Sequence, residues 1–174
     1  MLCPSIEVET FGIETVKIDP PKDIVDWSVF VNYEVPKLIS GPFVMSVHED
    51  GFPLQLDLWD DEFLNFDYIG APWPDGQVGN GGFNIESQRM FERKLDLPRD
   101  HVLDHPSDNW LCKFHRNRLE SDGLKFAPTE TAMRFSTEWL GNENPSFGFH
   151  GRICSPLKYS AGWSKIELFE STLK

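Results

Sequence analysis

The sequence predicts a mixed α/β fold, and three observations carry that reading. Short apolar, β-prone runs such as Phe43–Val47 and residues 68–71 recur along the chain. Between them stand segments whose apolar residues repeat at helical spacing, notably Trp27, Phe30, Val31, Val35 and Leu38. Glycine, proline, asparagine and aspartate punctuate these segments densely enough to give one loop-rich face. A chain of 174 residues that is 40% apolar and 25% charged can bury a core of its own, so residues 1–174 read as a single domain.

Taken in order, residues 14–18 predict a strand, closed by the Asp19-Pro20-Pro21 turn. Asp26 is the expected cap of a helix over residues 27–39, and Pro36 is expected to kink or shorten it. Phe43–Val47 predicts a buried strand. Further short strands are expected at residues 54–56, 68–71 and 81–85. A short helix is expected over residues 86–95, and a longer one from a Ser107 cap through Leu119, ended at Gly123 where a left-handed residue costs little. Residues 125–128 and 146–150 read as extended. The last twenty or so give a weak signal.

Charge narrows the partners. Sixteen basic against 28 acidic residues give a net charge of −12. A surface that binds a nucleic-acid backbone or anionic lipid carries the opposite sign, so neither partner is expected. Three cysteines, Cys3, Cys112 and Cys154, show no CxxC spacing and read as reduced, intracellular thiols. No apolar run reaches the ~20 residues of a membrane span. The N-terminus lacks the pattern of a signal peptide, so the expected location is cytoplasmic.

Four segments carry candidate chemistry, each beside a plainer reading. His48-Glu49-Asp50-Gly51 follows a buried strand and offers hard oxygen and imidazole ligands to Mn²⁺ or Mg²⁺; it also reads as an acidic turn. Gly79-Asn80-Gly81-Gly82 lets a backbone pass close to a ligand, and Asn80-Gly81 is equally a hairpin turn. Asp108 stands where a helix start keeps a carboxylate ionised, which suits a general base or a simple first-turn acid. His150, between Phe149 and Gly151, is a metal ligand or a packed ring. Trp59 and Trp73 are candidate sugar-stacking rings or core.

These segments stand in a familiar order. Glu49-Asp50-Gly51-Phe52 is followed by Trp59 with Glu62-Phe63-Leu64. Then come Asp67-Tyr68-Ile69-Gly70-Ala71-Pro72-Trp73, Val78-Gly79-Asn80-Gly81-Gly82-Phe83, Gly123-Leu124-Lys125-Phe126-Ala127-Pro128, Phe135-Ser136-Thr137-Glu138 and Phe147-Gly148-Phe149-His150. Over about residues 40–151 the chain resembles a bacterial and viral family of unknown function found among glycosyltransferases. That family in turn is similar to GT-A nucleotide-sugar transferases.

The resemblance implies a GT-A-like mixed sheet flanked by helices. It implies a metal and diphosphate site at His48, Glu49 and Asp50, with His150 as a further metal ligand. It implies a glycine loop, Gly79 to Gly82, on the acceptor side with Trp73 beside it, and Asp108 as the base of an inverting transfer. His48 replaces the first acid of the usual Asp-x-Asp, and Ser107 replaces the first acid of the usual pair at the helix start. Only 47 residues precede His48, so the nucleotide-binding half is expected to be abbreviated, supplied by a partner or missing. The activity so implied is metal-dependent transfer of a sugar from a nucleotide-sugar donor to a glycan or other hydroxyl acceptor. The alternatives are a non-catalytic carbohydrate- or nucleotide-binding module on the same scaffold, and a metal-dependent hydrolase built from Asp50, Asp108 and His150.

Overall fold

A computed structural model of the chain describes residues 2–4, 16–48, 50–100, 106–138 and 145–151. Strand β1 (Leu2–Pro4) pairs in parallel with β2 (Val16–Ile18). Helix α1 (Ile24–Val29) is capped by Asp23, whose Oδ1 accepts the N–H groups of Val25 and Asp26 at 2.9 Å. The expected cap, Asp26, lies in the first turn instead, where its charge suits the helix dipole. The helix then widens into a π turn, Phe30–Glu34, before α2 (Val35–Leu38). Pro36 explains the widening. It has no N–H to donate and its ring crowds the carbonyl four residues back, so the chain loosens until the proline falls in the first turn of a new helix.

Strand β3 (Phe43–Val47) forms where it was expected but is not buried: four of its residues are partly exposed and Val47 is exposed, because it pairs with β6 on one side only. It leads through a tight turn into β4 (Gly51–Pro53). The expected strand at residues 54–56 does not form. The N–H groups of Leu54 and Gln55 both donate to the carbonyl of Phe147, and a 3₁₀ turn follows at once over Leu56–Leu58. With both amides spent on one carbonyl, no ladder can be continued.

Strand β5 (Tyr68–Gly70) and β3 flank β6 (Phe83–Ser87) in an antiparallel sheet, with Met45 opposite Ile85 and Ile69 opposite Ile85 on the other side. All five residues of β6 are buried, as a central strand covered on both faces requires. Helix α3 (Gln88–Leu95) follows directly. Helix α4 (Ser107–Asn109) begins after Pro106, so Ser107 is its first residue rather than its cap. A second π turn, Trp110–Phe114, separates it from α5 (Arg116–Ser121), and Gly123 ends the run at φ 84° as expected.

Helix α6 (Thr129–Phe135) stands just after the segment expected to be extended; the sequence pattern did not announce it. It delivers Phe135 to a stack with Phe83, 4.8 Å between centroids and 4° apart in plane. The short strand β7 (Ser136–Thr137) then pairs in parallel with β8 (Gly148–His150), which pairs antiparallel with β4. The described part is thus mixed α/β, with small sheets and a few short helices around Phe63, Phe83, Ile85, Trp110, Leu119 and Phe135. No described helix is long and apolar enough to cross a membrane.

Candidate metal centre and its glycine loop

The turn between β3 and β4 builds the first half of the site. The N–H of His48 donates to the carbonyl of Gly51 at 2.9 Å, and the N–H of Gly51 returns to His48 O at 3.1 Å. This closes a two-residue turn with Asp50 inside it; Glu49 lies outside the described residues. The second half comes from β8. Its register sets His150 opposite Gly51, and the N–H of Gly151 donates to the backbone carbonyl of Asp50 at 2.8 Å. Two segments about a hundred positions apart in sequence are therefore held together by main-chain hydrogen bonds.

One ligand atom each from His48, Asp50 and His150 lies within 4.8 Å of the other two. His150 Nε2 stands 3.6 Å from Asp50 Oδ1. The rings of His48 and His150 meet edge to face at 5.9 Å, and Trp27 backs His48 at 5.8 Å. Ligands about 2.1 Å from a common ion stand about 3–4 Å apart, so a small contraction brings the three onto one cation. All three are partly exposed, so the cluster is open to solvent.

The loop between β5 and β6 lies against this cluster. A Cβ on Gly82 would meet His150 Nε2 at 1.8 Å, and one on Gly51 would meet its Cδ2 at 2.6 Å. These glycines make room for the imidazole. Gly79 plays the same part for Trp73, whose ring would stand 2.1 Å from its Cβ. Trp73 is 8% exposed, and the Lys113 ammonium lies 4.3 Å from its ring centroid. The stacking role expected of Trp73 does not fit this burial, because the indole is committed to the loop beneath it.

Asn80 is the one non-glycine residue with positive φ among the described residues, at 73°. Its carbonyl accepts from the Tyr68 hydroxyl at 2.9 Å, its Oδ1 accepts the Gly82 N–H at 3.0 Å, and its amide donates to Glu138. Of the four loop positions, Gly81 alone is partly exposed. It faces Ser107 and Asp108, whose atoms would meet its Cβ at an ordinary 3.4 and 3.5 Å.

Asp108 accordingly sits across the loop from His48, Asp50 and His150. Its Oδ1 accepts the N–H of Asn109 at 2.9 Å. Burial pushes its carboxyl above the ordinary range, opposed by the N–H groups of Asn109, Asp108 and Gly81, while the negative Glu138 adds to the rise. A raised carboxyl at the start of a helix, beside a partly exposed glycine, binds a proton more readily than a free one, which suits a general base.

Glu138 is the residue that sequence reasoning missed. It belongs to the quoted string Phe135-Ser136-Thr137-Glu138, yet nothing in that string points to His150. The parallel register does: Thr137 pairs with Phe149, so Glu138 falls beside His150. Its Oε1 lies 3.1 Å from His150 Nδ1.

Apart from Trp27 and Gly151, every site residue named above falls within residues 37–150, the span matched by one family model, from α2 to the last residue of β8. The chain belongs to the family described as protein of unknown function (DUF5672). No curated protein and no solved structure matches the chain. The DUF5672 span thus takes in the His48–Gly51 turn, the glycine loop, Asp108, Glu138 and His150, and ends on the ligand candidate itself.

Proposed function

We propose that this chain is a metal-dependent, GT-A-like glycosyltransferase that passes a sugar from a nucleotide-sugar donor to a hydroxyl acceptor, with inversion. The observation that supports it best is the meeting of His48, Asp50 and His150 across the glycine loop from Asp108. Two imidazoles with one carboxylate favour Mn²⁺ over Mg²⁺, which prefers oxygen ligands throughout. A bound divalent ion would stabilise the charge that develops on a departing nucleoside diphosphate. Asp50, His48 and His150 would hold it. Asp108 would accept the proton of the attacking hydroxyl, and Gly81, having no side chain, would let that acceptor approach. Of the two candidate stacking rings, Trp59, 37% exposed beside a surface cleft of about 490 Å³, is the one with area to offer a sugar.

The donor set favours one further reading. Two histidines and a carboxylate with open positions also make the facial triad of non-haem Fe(II) oxygenases. That reading gives Asp108 and the glycine loop no task. Oxygen uptake by the Fe(II)-loaded protein would select it.

The deciding experiment is thermal unfolding with UDP, GDP, CDP and dTDP, each with and without Mn²⁺. A ligand held at 100 times its Kd stabilises the fold by about 2.7 kcal/mol. One nucleotide is expected to raise the midpoint only with Mn²⁺, and to lose that effect in Asp50→Ala. No shift with any nucleotide removes the transferase reading and brings a non-catalytic binding module to the front, beside the Fe(II) reading.

A further inference from the structure

We infer that Glu138 is the positioning residue of this centre: it fixes the His150 tautomer that leaves Nε2 aimed at Asp50, and through Asn80 it ties that ring to the glycine loop. Its functional meaning rests on the metal-centre reading; its geometry does not.

Donor and acceptor roles decide the tautomer. The N–H of Gly82 donates to Asn80 Oδ1 at 3.0 Å, so that end of the Asn80 amide is the oxygen. The other end is therefore the NH₂ group, and it donates to one oxygen of Glu138. The second oxygen, Oε1, faces His150 Nδ1 at 3.1 Å. A carboxylate only accepts, so in the neutral ring Nδ1 carries the single hydrogen and Nε2 is left with its lone pair. Nε2 is the atom 3.6 Å from Asp50 and the one packed on Gly82. Metal-ligating histidines commonly give their other N–H to a carboxylate in this way. Glu138 is buried, and Gly151, at φ 82°, leaves the room its Oε1 needs, since a Cβ there would stand 3.0 Å away. The arrangement is a chain from a backbone N–H to a tautomer: Gly82, Asn80, Glu138, His150.

The chain makes the isosteric change decisive. In Glu138→Gln the new amide satisfies Asn80 only by presenting its oxygen there. Its NH₂ then faces Nδ1, which must accept, and the imidazole hydrogen moves to Nε2. A protonated Nε2 cannot ligate. Adding Asn80→Asp reverses the requirement. The carboxylate introduced at position 80 accepts both from the Gly82 N–H and from the introduced side-chain amide at position 138, and the oxygen of that amide returns to Nδ1. Aspartate also tolerates the left-handed backbone at position 80.

The test reads the ¹⁵N shifts of His150 in the metal-free protein, above the pH at which the ring is neutral, together with Mn²⁺ titration. Expected are an Nδ1–H ring in the parent, an Nε2–H ring with Mn²⁺ binding weakened roughly 10- to 100-fold in Glu138→Gln, and recovery of both in the Asn80→Asp/Glu138→Gln pair. An Nε2–H ring in the parent overturns the inference, as does Glu138→Gln with an unchanged ring and unchanged Mn²⁺ affinity. A parent that shows the Nδ1–H ring, loses it in Glu138→Gln and yet binds no Mn²⁺ upholds the positioning role and removes the metal reading instead.

Discussion

His150 and Asp108 show how single residues depend on what lies a few ångströms away. Gly82→Ala is expected to abolish Mn²⁺ binding without unfolding the protein. The added methyl meets the end of a side chain, Nε2 at 1.8 Å, so the ring swings out of the site while the backbone stays. Gly81→Ala meets atoms no nearer than 3.4 Å and should retain Mn²⁺ affinity. Titrating both variants by calorimetry checks the contrast. Asp108→Asn is expected to lower transfer by roughly 10²- to 10⁴-fold. It should also stabilise the fold at neutral pH. Burial raises the folded carboxyl above its unfolded value, so its favourable contribution is complete below the unfolded value and is lost as pH rises through the raised one. The stability gap between variant and parent should therefore open on going from acid toward neutral pH and then level off. A gap that stays constant across that range would contradict this.

Among the elements, the junction of β6 and α3 holds the sheet to the helices. Ser87 closes the strand and caps the helix, its Oγ accepting the Met90 N–H at 3.2 Å while its hydroxyl donates to buried Asp67. Asp67 also takes the N–H of Lys125 at 2.8 Å and the Arg89 guanidinium at 3.4 Å. Ser87→Ala should cost about 1–2 kcal/mol in urea unfolding and leave Mn²⁺ affinity unchanged, because Ser87 lies at the end of β6 away from the cluster's turn. The strand Phe43–Val47, the helix near residues 86–95 and the stop at Gly123 were legible in the sequence, since each is set by local pattern or by one special residue. The cap of α1 was misplaced and α6 was missed. Asp23 and Asp26 are both good caps, and only the helix's own position selects between them. Helix α6 has a polar start, Thr129 and Glu130, and no side-chain cap, so its formation depends on packing Ala132 and Phe135 into the core.

For the molecule as a unit, one charge pair among the described residues is buried outright. Lys94 Nζ stands 2.6 Å from Glu86 Oε2, a charge contact rather than an aligned hydrogen bond, with side chains 1% and 4% exposed. Glu86 lies in β6, next to the Asn84–Tyr68 hydrogen bonds that support the loop at Asn80. Lys94→Met should cost about 3–5 kcal/mol, because it strands a carboxylate in the core. Adding Glu86→Leu should return most of that. Urea midpoints of parent, single and double variants measure it, and a single variant as stable as the parent would mean the pair is dispensable.

Residue type and local conformation alone marked the candidate side chains. Asp50 and His48 stand in a turn after an apolar strand, Asp108 at a helix start, His150 beside a glycine, and the loop is one that glycine and asparagine build most readily. Which of them meet was not written there. That was decided by the pairing of β4 with β8 and of β7 with β8, contacts between segments up to about a hundred residues apart, and strand register leaves no mark in a single sequence. The same pairing set Glu138 against His150. Packing gave Trp73 to the core and turned three of the four loop residues inward. Tertiary contacts, not the motif, assigned those roles, because each depends on a neighbour that only the folded chain supplies.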